Sequence, residues 1–60
     1  MPQTHYIVEF KPNGRYVKVT AIDPITGLEA VIVGDATQAQ KILENTAIRK
    51  LEFLLKRGLP

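Results

Sequence analysis

The sequence predicts an α+β fold, a three-stranded antiparallel meander followed by one long C-terminal helix packed on one sheet face, in the order β-β-β-α. Two observations carry this. In the first half, the turn-forming stretches KPNGR and DPITG separate three short segments of alternating apolar and polar residues, the period of a half-buried strand. In the second half, apolar residues recur at helical spacing between Ala36 and Arg57, with no Gly or Pro to interrupt them.

The first strand is read in HYIVEFK, His5 to Lys11, where Tyr6, Val8 and Phe10 alternate onto one face. Pro12 presets φ for the turn and Gly14 supplies a positive φ, which predicts a type I turn closed by a glycine bulge. The second strand, RYVKVTAID from Arg15 to Asp23, places Val17, Val19 and Ala21 on one side. In DPITG the Asp23 carboxylate is set to accept from amides ahead of it, Pro24 fixes φ, and Gly27 takes the left-handed position. The third strand is LEAVIVG, Leu28 to Gly34. Both connections are short, so the strands pair antiparallel in sequence order. Asp35 is the expected helix N-cap, with Gln38 three residues on as in a capping box. Lys56 and Arg57 suit the helix C-terminus, and Gly58 and Pro60 end it.

At 60 residues the chain makes a single domain, 1–60, of a size that buries little surface and usually needs reinforcement. It has no cysteine and one histidine, His5, which excludes disulfides and the common zinc sites. Serine is absent too, removing another usual nucleophile. No catalytic, cofactor-binding or metal-binding residues are expected, and the chain is read as non-enzymatic. There is no apolar run near the length of a membrane span and no signal-peptide pattern. With a net charge of +2, a soluble cytoplasmic protein is expected.

Apolar residues are in excess. A helix from Ala36 to Arg57 would be roughly 33 Å long against about 23 Å for a seven-residue strand, and so should overhang the sheet. Leu43, Ala47, Ile48, Leu51, Leu54 and Leu55 form one stripe, and Ile42, Thr46 and Phe53 a second, with Lys50 and Arg57 between them. Together they span about twice the arc that packing on one sheet requires. Behind the sheet, Ile7, Ile22, Val31 and Val33 lie among Glu9, Lys11, Lys18 and Glu29. The excess predicts a homodimer, or another protein partner, with Ile42, Ile48, Phe53 and Leu55 as interface residues. The helix flank, the sheet face and an edge strand all remain open as the contact.

The stretches YVKVTAIDPITGLEAVIVG and AIRKLEFLLKR carry a VKVTAID-x-x-TG-x-E-x-x-IVG block and an A-x-RKLE-x-x-L helix. In these the chain resembles a family of short bacterial proteins known only as a domain of unknown function. The resemblance runs from about Tyr6 to Lys56 and implies no functional residue.

The alternative from a different class is nucleic-acid binding through Lys11, Arg15 and Lys18 on the sheet and hairpin, or Arg49 and Lys50 on the helix. It is disfavoured. Glu9, Glu29, Val31 and Val33 dilute the basic residues of the sheet, and Asp35 at the helix start would repel phosphates. Glu9 and Glu29 are expected to form cross-strand charge pairs with Lys11 and Lys18, and Glu52 to pair with Lys56 along the helix.

Overall fold

A computed structural model of the chain describes residues 5–57. Three strands, β1 (Ile7–Asn13), β2 (Tyr16–Ile22) and β3 (Glu29–Asp35), precede one helix, α1 (Gln40–Lys56). The sheet is antiparallel in the order β1-β2-β3, and the helix packs chiefly over β2 and β3. This is the predicted β-β-β-α arrangement. The expected stop at Gly58 and Pro60 lies outside the described residues.

Pairing is continuous through both hairpins, which corrects the expected glycine bulge. Asn13 pairs with Tyr16 and Pro12 with Val17, leaving Gly14 and Arg15 as a two-residue loop. Gly14 has φ +63° and no residue other than glycine has a positive φ, the signature of a II′ hairpin, whose twist matches that of the strands. The second connection follows the prediction. Asp23 is buried, and its carboxylate accepts from the Ile25 amide at 3.1 Å and the Thr26 hydroxyl at 2.9 Å. Its carbonyl accepts from the Gly27 amide at 2.8 Å, with Gly27 at φ +78°.

Because no bulge shifts the register, the inner faces align row by row. Val8 lies opposite Ala21 and Phe10 opposite Val19; Val19 lies opposite Ile32 and Ala21 opposite Ala30. Leu43, Ala47 and Leu51 of α1 close on Val17, Val19, Ala21 and Ala30 to make the buried core. Val8 and Phe10 of β1 are only half-buried, since the helix is displaced towards β3. Tyr6 sits on this thinner side, and its hydroxyl donates to Glu52 at 3.4 Å. Burial first, and the Glu52 carboxylate second, hold its phenol above the usual range.

The helix starts four residues later than expected, with Ala39 as an N-cap that makes no side-chain bond. Only half of the anticipated capping box forms, and around a separate turn. The Gln38 side chain accepts from the Asp35 amide at 3.0 Å, and the Asp35 carboxylate takes both the amide and the hydroxyl of Thr37, at 2.8 and 2.7 Å. Ala39 then returns to extended backbone, φ −64° and ψ 138°, which breaks the chain's direction before α1. The break lets the helix double back over β3 at close range. At 17 residues the helix is about 26 Å long, so the expected overhang shrinks to a few ångströms.

The Thr37 amide, and secondarily its hydroxyl, hold the Asp35 carboxyl below its ordinary pKa of 3.8. A carboxylate depressed in the folded state stabilises above its unfolded pKa and loses that contribution as pH falls through the folded one. Asp35→Asn is therefore expected to melt lower than the wild type at pH 7. The gap should narrow as pH drops below 3.8 and close only below the depressed folded value, where both side chains are neutral. Thermal melts across that range check this, and a gap that does not change with pH would contradict it.

Candidate interaction surface

The helix covers one face of the sheet and leaves the other open. On the open face the register arranges side chains in four rows across β1, β2 and β3: Ile7–Ile22–Glu29, Glu9–Thr20–Val31, Lys11–Lys18–Val33 and Asn13–Tyr16–Asp35. Ile7, Ile22, Thr20, Val31 and Val33 are thus neighbours in a diagonal band from the start of β1 to the end of β3. Ile7 is 50% exposed and Val33 67%, values that mark a surface without a partner among the described residues. Glu29 flanks the band on one side; Glu9, Lys11 and Lys18 flank it on the other.

The expected Glu–Lys cross-strand pairs are not what the register makes. Glu9 stands opposite Thr20, Glu29 opposite Ile22, and Lys11 opposite Lys18. Register is set by the turn and by burial of the inner face, not by the pairing of charges across the hairpin.

The two sheet edges are guarded differently. A two-residue hairpin closes on a hydrogen-bonded pair, so the backbone groups of Val8, Phe10 and Pro12 point away from β2, and those of Val31 and Val33 point away from it on the other edge. Pro12 has no amide to offer there. On β3 the Val31 carbonyl accepts from Lys50 Nζ at 2.8 Å. Proline and lysine are the usual devices against edge-to-edge pairing.

The four predicted interface residues divide. Ile42 and Phe53 are 55% and 58% exposed, on the flank from which Lys50 reaches β3. The Arg57 guanidinium lies 5.7 Å from the centre of the Phe53 ring, within cation–π range. Ile48 and Leu55 occupy the other flank and are half-buried against the molecule's own core. The basic residues of the alternative reading divide as well. Lys11 and Lys18 are on the open sheet face and Arg15 in the hairpin, while Arg49 and Lys50 are on the helix across the sheet, with Lys50 engaged by Val31. Glu52, expected to pair with Lys56, accepts from Tyr6.

Among the described residues no group of three or more His, Asp or Glu side chains could hold a metal ion. An open depression of about 450 Å³ lies beside Glu9, Phe10 and Lys11 on β1. No helix among the described residues is long and apolar enough to cross a membrane.

Residues 3–58 match the family model of a domain of unknown function, DUF6898. The chain belongs to DUF6898. The expected resemblance to a domain of unknown function is thereby shown, and the DUF6898 match spans the three strands and the helix. No curated protein and no solved structure matches the chain. Family membership brings no site residues with it, so the open face has to be read from its own chemistry. The apolar members of that face were visible as an alternation in the sequence, but their contiguity was not, since it depends on a register that one bulged residue would have reversed.

Proposed function

We propose that this DUF6898 chain is a non-enzymatic, soluble cytoplasmic module that works by self-association, its contact surface being the open sheet face. The observation carrying the reading is the contiguous apolar band on a sheet whose other face is already filled by the helix. Monomeric proteins scatter their exposed apolar residues; a connected patch is what a partner covers. The guarded edges favour the face over strand addition. On the helix, Ile42 and Phe53 are exposed, whereas Ile48 and Leu55 are half-buried against the core.

The face measures roughly 14 by 23 Å, which puts the contact at the small end of specific interfaces. The dimer is therefore expected to be weak and to form at high micromolar concentration. Sedimentation equilibrium from 10 µM to about 1 mM should show mass rising towards twice that of the 6.7 kDa chain. Val33→Asp should hold the chain monomeric with its melting temperature at low concentration unchanged, since a charge is not buried cheaply without a partner. A wild-type monomer at 1 mM would end the reading. A dimer broken by Phe53→Asp but not by Val33→Asp would move the contact to the helix flank.

A further inference from the structure

We infer that two copies stack through their open faces about a twofold axis running across the apolar band, so that Glu9 of each copy meets the Lys11–Lys18 pair of the other. This rests on the self-association reading and specifies the partner as a second copy in one register.

The starting point is the unsatisfied charge. Lys11 and Lys18 are directly opposite, about 5.5 Å apart at Cα for a hydrogen-bonded pair, and like charges so placed destabilise a sheet. The third member of their row is Val33, so no carboxylate in the row offsets them. A carboxylate arriving from above would. Glu9 is available, one row away and opposite the neutral Thr20.

Symmetry decides whether it arrives. With about 4.8 Å between strands and 6.8 Å between alternate residues, the band runs diagonally with Thr20 at its middle. A twofold axis between the two faces can lie along the band or across it. Along it, Glu29 lands on Glu9 of the other copy, and two like charges meet. Across it, Thr20 meets its own symmetry mate, Ile7 meets Val33 and Ile22 meets Val31. Glu9 then falls beside Lys11 and Lys18. Only the second arrangement buries the apolar band and neutralises the lysine pair together. The strands of the two sheets cross at roughly 70°, nearer the orthogonal than the aligned class of sheet packing.

The test is a charge swap read by sedimentation equilibrium at low salt. Glu9→Lys is expected to weaken the dimer roughly tenfold, because attraction becomes repulsion at two symmetric contacts. The triple variant Glu9→Lys, Lys11→Glu, Lys18→Glu should restore it, and added salt should weaken the wild type and the triple variant alike. A wild-type dimer that Glu9→Lys leaves unchanged or tightens overturns the register while self-association stands, and tightening selects the axis along the band. A wild-type monomer at 1 mM overturns both. A monomer whose Lys11 and Lys18 instead take up a short oligonucleotide at low salt would also overturn the inference.

Discussion

Leu51→Ala is expected to remove about half of the chain's stability at 25 °C. Leu51 and Val19 are the largest fully buried side chains, and Leu51 lies at the centre of the cluster that joins α1 to the sheet. Truncating a core leucine costs about 2–5 kcal/mol, the transfer free energy of the lost atoms plus the cavity left behind. The whole stability of a 60-residue chain is roughly 3–9 kcal/mol, so at mid-range values one substitution removes about half of it. Urea titration followed by circular dichroism measures this as a midpoint shift at unchanged slope. Leu51→Met, which conserves volume, should cost less than about 1.5 kcal/mol. A Leu51→Ala midpoint equal to that of the wild type would mean that the core is not centred on this residue.

The second large effect is expected at Gly34. This glycine is the inner-face partner of Val17, and a Cβ built on it would collide with Leu43 Cδ2 and lie 3.3 Å from the Gln38 side-chain oxygen. Its φ is not positive, so space and not backbone conformation demands the glycine. Leu43 is itself buried in the core and has little room to retreat. Gly34→Ala should cost about 1–3 kcal/mol by overpacking, lowering the melting temperature by about 5–20 °C in a domain this small. Leu43→Ala removes the colliding methyl, so the two changes together should cost less than the sum of the two alone. Strict additivity in that cycle would show that the alanine clashes elsewhere or not at all.

Gly34 also shows where reading from sequence stops. As the last residue of the third predicted strand it looks like a terminator before Asp35, and nothing nearby in the chain announces that Leu43 will land on it. Asp35 and Gln38 are similar. The Gln38 side chain accepts from the Asp35 amide as the residue pattern predicts, a local bond, while the Asp35 carboxylate turns to Thr37 instead of Gln38. That they close a separate turn, with the helix delayed to Gln40, reflects the path the chain must take to fold back onto β3. Local chemistry identified the capping partners but not the element they would serve.

The candidate surface divides in the same way. Alternation placed Ile7, Ile22, Val31 and Val33 on the face opposite the core, because side-chain period along a strand is a property of the strand alone. The helix stripes likewise separated Leu43, Ala47 and Leu51 from Ile42 and Phe53. Their fates depend on which flank overhangs. Ile48 and Leu55 are half-buried against the core, while Ile42 and Phe53 on the opposite flank stay exposed, because α1 sits off-centre above β2 and β3.

By itself, then, the sequence determined the element types, their order, the two turn positions and the residues of each face, all of which follow from backbone preferences and periodicities within a few residues. Only the tertiary structure decided the register across strands, the displacement of the helix towards β3, the close seat of Leu43 over Gly34 and the opposition of Lys11 to Lys18. These are relations between residues distant in the chain, settled by packing the whole core at once. No local pattern encodes them.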